Sequence, residues 1–367
     1  MTPDANGFPS PVIQAEKCVD CNLCNQVCPA IHPPKAEPFR KAYAAQYNDG
    51  EALKDSSSGG VFTALSREFF RRGGLVYGCV WDEQYRAVVR RAENEEEMKP
   101  MRGSKYVWSW AGDTYPEIER ELKQGRTVLF TGLPCQTAGL KNYLRKEYPG
   151  LYLVTFFCGG SPSPYAFQRY LETITRDVPL SELDFQFRDK ARYGGGVNIS
   201  YNTRKGRVHQ SYLRNPYFYS YRSKIVHRMC CYQCQFRYRD RLEDITIGDY
   251  WGVEHYHPDL NIRAGVSAIL INTDKGAELL DAVRDQLILR ETRAEYISAH
   301  GNLSLTDAKK VFHIPEYRDA FFRKMKNQGW TAAERRYLYT PKRMMLWLMP
   351  KLPKGMQNAL NKVLRRG

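Results

Sequence analysis

Ten cysteines mark the 367 residues, and seven of them fall in two tight groups. Cys18, Cys21, Cys24 and Cys28, followed by Pro29, spell C-x2-C-x2-C-x3-C-P, the spacing by which bacterial ferredoxins hold cubane 4Fe–4S clusters. Three thiolates at spacing three let one short loop wrap a cube corner by corner. Zinc is the alternative, but zinc sites pair two separated C-x2-C knuckles rather than one compressed run. In two-cluster ferredoxins the fourth cysteine of each run serves the other cluster. On that pattern Cys28 would serve a run not found here, and Cys18, Cys21 and Cys24 would need a ligand from elsewhere, with Cys79 and Cys230 as candidates. The opening thus reads as the second half of a two-run ferredoxin domain, with the first run lost or lying upstream.

The second group is Cys230, Cys231 and Cys234. Two lone cysteines, Cys135 and Cys158, each follow a short apolar, β-branched run, residues 126–131 and 151–157, and each precedes a stretch of helical spacing. Two successive strand–turn–helix units imply a parallel sheet, and both cysteines then lie at the carboxyl ends of strands, where open α/β sheets build their sites. Cys135, Cys158, Cys231 and Cys234 suffice for one further cluster. Buried core thiols are the equal alternative for the two lone ones.

The chain contains no G-x-G-x-x-G, so an ordinary Rossmann dinucleotide site is not supported. Ser57, Ser58, Gly59 and Gly60 instead open an apolar-periodic stretch beginning at Val61. Small residues at a helix start leave N–H groups and a positive dipole end for a pyrophosphate, although an unoccupied serine cap is the commoner situation. Arg102, Ser104 and Lys105 offer donors on a second loop, with a solvated surface as the alternative. Asp249 closes the strand-like Ile245–Asp249 run, either as a turn residue or as a partner to a flavin ring or ribose.

Seven segments in one order carry a resemblance. They are Ser57–Phe62, Arg102–Val107, Gly132–Gln136, Cys158–Pro164, Phe187–Lys190, Cys231-x2-Cys234 and Asp244–Gly252. Over about residues 1–315 the chain resembles the coenzyme F-420 hydrogenase/dehydrogenase beta-subunit family preceded by a ferredoxin-type domain. The resemblance implies an iron–sulfur flavoprotein oxidoreductase passing electrons between 4Fe–4S clusters, one or two in number, FAD, and a deazaflavin-like or other acceptor. It also implies that Cys135, Cys158, Cys231 and Cys234 hold a cluster near the flavin. Leu133 stands where the family usually has Thr, and Gly159 where it usually has His, which puts the tuning of that cluster in question. An electron-transfer subunit serving a partner enzyme, for example in polysaccharide formation, is one alternative. A zinc-dependent nucleic-acid-binding protein is another, and the first cysteine run argues against it.

The elements that must position these residues predict an α+β or α/β fold. A small ferredoxin-like piece over 1–40 precedes an α/β flavin- and cluster-binding unit, divided at 41–150 and 151–315, and a basic helical tail over 316–367. Hydrophobic residues at 43% and aromatics at 13% supply a core and exclude wholesale disorder. No signal peptide opens the chain, and the longest apolar run, residues 344–349, is too short to span a bilayer. A cytoplasmic location is expected, and cysteines in that reducing compartment are ligands or free thiols.

The net charge of +15 is not uniform. Residues 316–367 carry 13 basic against 3 acidic side chains, residues 181–242 carry 13 against 4, and the remainder is net acidic. The tail, with Met356, Leu360, Val363 and Leu364 on one face, suits the inner face of a membrane or a partner, or packs on the body. The other block suits an anionic cofactor or acceptor near the cluster. A redox partner protein or small acceptor is therefore expected, and nucleic acid is not.

Overall fold

The computed structural model describes residues 1–190, 196–237, 240–302, 312–340, 343–345, 352–353 and 355–356. Its centre is an eight-stranded sheet of β1 (Lys41–Tyr47), β2 (Leu75–Trp81), β3 (Ala87–Ala92), β4 (Val128–Gly132), β5 (Leu151–Phe156), β6 (Ile245–Asp249), β7 (Ser267–Ile271) and β8 (Leu287–Thr292). The strand order is β8-β1-β7-β6-β5-β4-β2-β3. Strands β2, β4, β5 and β6 run parallel. The flanking pairings are antiparallel. The two expected strand–turn–helix units are present, β4 leading into α3 (Pro134–Leu144) and β5 into α4 (Pro164–Ile174).

Every residue of β4 is buried, as a central parallel strand requires. Alternation sends Val128 and Phe130 to one face and Leu129 to the other. Val128 and Phe130 pack with Leu140 and Leu144 of α3 and with Ile118 and Leu122 of α2 (Thr114–Lys123). Leu129 packs with Val61, Leu65 and Phe69 of α1 (Val61–Arg71). Each such side chain contributes about 1.5–3 kcal/mol on burial. A second, aromatic core gathers Phe167 and Tyr170 of α4, Tyr217 of α5 (Pro216–Arg222), Phe185 of a small three-stranded sheet, and Phe187 just beyond that strand.

Three features bear on the expected divisions. The boundary at 150 falls between β4 and β5, which are hydrogen-bonded neighbours, so 41–150 and 151–315 share one sheet. Over its first half the tail takes the packed alternative: a helix over Arg318–Tyr337, kinked at Gly329, buries Phe321, Phe322, Met325 and Trp330 against the aromatic core. The face expected at Leu360, Val363 and Leu364 lies outside the described residues. Residues 1–40 form a strap with Phe8 as their one deeply buried hydrophobic side chain. The strap is pinned by Ser163 Oγ donating to the Asn6 carbonyl at 2.5 Å and Arg228 donating to that of Pro9 at 2.9 Å. Among the described residues no helix is long and apolar enough to cross a membrane.

Candidate functional site

The carboxyl ends of β4, β5 and β6 open onto a cavity of about 260 Å³. Its lining brings together residues far apart in sequence: Ser57, Ser58 and Gly60 ahead of α1, Arg102 to Lys105, Cys158 to Gly160, and Asp249 at the end of β6. Of the sequence-expected cofactor residues, Gly59 does not line it. Its N–H is taken by Ser267 Oγ at 2.9 Å, and a Cβ there would strike the Ala45 carbonyl. The serines are also committed to the protein. Ser58 Oγ donates to the Val266 carbonyl at 2.8 Å, and Ser104 Oγ donates to Ser57 Oγ at 2.9 Å, joining the two loops.

Asp249 lines the cavity and is also engaged within the protein. Its carboxylate takes two hydrogen bonds from Arg188, at 2.6 and 2.9 Å, in the bidentate geometry that favours arginine. The same guanidinium donates to Tyr106 Oη at 3.2 Å and to the Ser57 carbonyl at 2.5 Å. Burial opposes the charge on Arg188, but Asp249 and Tyr106 outweigh it and hold the side chain firmly protonated. Two residues on, Lys190 Nζ donates to the carbonyls of Leu53, Ser58 and Ala264 at 2.9, 2.7 and 2.6 Å. The serine loop is thus gripped by its carbonyls from the 188–190 segment. Sequence reasoning singled out Arg188 and Lys190 as motif residues without giving them this work. The signal was two cations two residues apart in the Phe187–Lys190 motif.

The solvated reading of Arg102 and Lys105 is not what the structure shows. The Arg102 side chain is 6% exposed and donates to Glu95 at 2.8 Å. Lys105 Nζ donates to the carbonyls of Pro100 and Arg102 at 2.7 and 2.9 Å, and burial pushes it down to about 8. Three buried polar atoms of cavity-lining side chains, Arg102 Nε, Arg188 Nε and Thr131 Oγ1, have no hydrogen-bond partner among the described residues. Unpartnered cationic donors in an otherwise satisfied wall fit an anionic group such as a cofactor phosphate.

Cys135 sits in the first turn of α3, where Pro134 suits the helical start and Gln136 Oε1 accepts from the Leu133 N–H at 3.1 Å. Cys158 lies near the start of the loop after β5, two residues past the strand. Cys231 and Cys234 come from the 229–234 segment, which follows His227, whose carbonyl accepts from Arg318 at 2.9 Å. These thiols act on one another. Cys135 is solvent-exposed, but the protein mass around it first, then Cys158, Cys234 and Cys230, pushes it up, and burial then Cys158 raises Cys234 to about 11. The turn after Cys158 supplies N–H donors to sulfur: Gly160 to Cys158 and Ser161 to Cys231, both at 3.4 Å. Gly160 has φ +105°, and a Cβ there would enter the His227 ring. Gly159 likewise has no room for a side chain, because Tyr221 Oη occupies the space.

Of the spare cysteines, Cys79 lies in β2 and lines the cavity, and its thiol and the Lys105 ammonium influence each other. Cys230 adjoins Cys231, and the pair act on each other, Cys230 pushing the Cys231 thiol up. Cys18, Cys21 and Cys24 are exposed and Cys28 is half-buried. Gln235 Nε2 donates to the carbonyls of Pro29 and Ala30 at 3.0 and 3.1 Å, which places the end of the first run beside the end of the second group. Among the described residues, no three His, Cys, Asp or Glu side chains are grouped so as to hold a single metal ion.

Two family models match the chain, and they describe the two ends of one protein, the coenzyme F420 hydrogenase/dehydrogenase beta subunit. The model of its N-terminal part matches residues 42–112, and the model of its C-terminal part matches residues 125–295. Among solved structures, a chain of the F420-reducing [NiFe] hydrogenase complex from Methanosarcina barkeri is similar at 18% identity and a TM-score of 0.49, over 83% of this chain and 92% of that one. No curated protein matches. With both parts of one family matched in order over more than half of its length, the chain belongs to the coenzyme F420 hydrogenase/dehydrogenase beta-subunit family, a family of oxidoreductases.

Proposed function

We propose that this oxidoreductase is an iron–sulfur flavoprotein. In this reading Cys135, Cys158, Cys231 and Cys234 hold an inner 4Fe–4S cluster, and Cys18, Cys21, Cys24 and Cys28 supply ligands to an outer one. FAD occupies the cavity lined by Ser57, Ser58, Gly60, Arg102, Ser104 and Lys105. The observation that carries the reading is that one cavity wall contains both the unpartnered Arg102 and Arg188 donors and the cluster-ligand candidate Cys158. Held there, FAD would supply exchange of electrons in pairs with a hydride donor or acceptor and singly with a cubane cluster.

The chain's own part is placement. Arg188 and Lys190 hold the serine loop, and Asp249 holds Arg188. The 158–161 turn presents N–H groups to sulfur, and Tyr221 lines the cavity with its ring stacked on His227 at 5.2 Å between centroids. The family is one of beta subunits, which supports a redox partner protein as the source or destination of electrons.

The test is anaerobic purification of the full chain. Brown protein that releases FAD on denaturation, with Cys135→Ser losing part of the iron and keeping the fold, is the expected result. A colourless protein carrying one or two zinc ions refutes the reading.

A further inference from the structure

The turn joining Cys158 to Ser161 is held more firmly than its length requires. The Gly159 carbonyl accepts from Lys224 Nζ at 2.9 Å and lies 3.1 Å from His227 Nε2. The Ser161 carbonyl accepts from the Arg228 N–H at 3.0 Å, and the Ser163 N–H donates to the Val226 carbonyl at 2.8 Å. Lys224 is fixed in turn. Its ammonium lies 5.1 Å from the Tyr221 ring centroid and 4.4 Å from that of Phe312, and its carbonyl accepts from Tyr232 Oη at 2.5 Å. So held, the turn aims the Gly160 N–H at Cys158 and the Ser161 N–H at Cys231.

Cations also lie near Cys158. Burial dominates and pushes its thiol up, while the Gly160 N–H and then Arg237, Lys224 and Arg241 favour the charged sulfur, and the Arg241 guanidinium lies 5.6 Å from the ring of the preceding Phe157. Reduction adds a negative charge to a cluster, so amide dipoles and fixed cations beside its sulfurs favour the reduced form. They act strongly because a partly dry site screens them less than water does.

We propose that Lys224 is a positioning residue that sets the reduction potential of the inner cluster, by fixing the 158–161 turn in its sulfur-donating form and by placing its charge beside Cys158. The proposal rests on the inner-cluster reading above. The N-terminal run has a different setting: Cys18 donates to Asp20 at 3.5 Å, on an exposed loop. It therefore serves as the internal control.

The experiment is an EPR-monitored redox titration of the full chain, purified or reconstituted anaerobically, with signals assigned by their loss in Cys158→Ser and in Cys21→Ser. Lys224→Met is expected to move the Cys158-dependent signal to lower potential and leave the Cys21-dependent signal in place, and Lys224→Arg is expected to restore it. An unmoved Cys158-dependent potential at unchanged iron content overturns the proposal. Should Lys224→Met fail to load iron, proton ENDOR of the wild type in H2O and D2O decides. Exchangeable protons coupled to the Cys158-dependent signal support the turn's role, and their absence refutes it. A wild type that carries iron but shows no Cys158-dependent signal overturns the inner-cluster reading itself, which separates the two failures.

Discussion

Asp249→Asn tests the ion pair on which the cavity wall depends. Arg188 is 3% exposed and Asp249 20% exposed, so the substitution keeps the shape and leaves a buried guanidinium facing a neutral amide. Tyr106 Oη and the Ser57 carbonyl remain as partners, but neither carries charge. Breaking a buried pair by removing one partner costs about 3–5 kcal/mol. The pair borders an open cavity from which water can replace part of the lost solvation, so the lower end applies, about 3 kcal/mol. That corresponds to a fall in Tm of roughly 4–5 °C for a chain of this size. Urea unfolding of the cofactor-free protein at pH 7 measures it. A double variant sharpens the logic: Arg188→Met with Asp249→Asn removes the stranded charge, and it should recover stability relative to Asp249→Asn alone. An Asp249→Asn protein within about 1 kcal/mol of wild type, or a double variant at the simple sum of the two losses, refutes the argument. FAD affinity should fall in the single variant as well, because the Ser57 carbonyl loses a firmly held donor.

Gly160→Ala should lower stability by about 2–3 kcal/mol and reduce iron content, since φ is +105° and the new methyl enters the His227 ring; unchanged iron would place the turn away from any cluster. Cys79→Ser should leave iron content as in wild type, because Cys79 lines the cavity in β2; loss of iron would make it a ligand. Burial, with Arg188 second, pushes Lys190 down to about 8 from 10.5, opposed by Asp249 and Asp55, and burial pushes Lys105 to about 8, opposed by Cys79. The unfolded chain therefore binds more protons between about pH 8 and 10.5, so the penalty these two lysines place on folding is relieved as pH rises through that window. Loss of their charge should weaken FAD binding above about pH 8. Fluorescence titrations at pH 7 and pH 9.5 should show a steeper loss for wild type than for Lys105→Met, and equal losses would exclude Lys105 from the effect.

The parallel centre of the sheet was legible because β4 and β5 are continuous apolar runs followed directly by helical periodicity, a local signal. The antiparallel flank was not, because β1 pairs with strands more than two hundred residues downstream and no local pattern specifies that neighbour. The site shows the same division. Both cysteine groups and the serine–glycine loop were visible as spacing. The use of Asp249 was not, because its partner Arg188 lies 61 residues away and a lone aspartate at a strand end fits a turn equally well. Gly159 looked like a lost side chain. The structure gives its reason: Tyr221, from a helix downstream, fills the place a side chain would take.

The position of β1 also governs how the molecule comes into being. Lys41–Tyr47 is made early, yet it sits between Ser267–Ile271 and Leu287–Thr292, which leave the ribosome last among the sheet strands. Its buried alanines and tyrosines therefore wait, unpaired, through the synthesis of more than two hundred residues. Closing that long loop is a slow, entropically opposed step. The serine–glycine loop that follows β1 cannot take its final form earlier, because Ser58 and Gly59 bond to Val266 and Ser267. Both cysteine groups and Cys135 and Cys158 are already translated by then, so the thiols are exposed to metal before the cavity that adjoins them is closed.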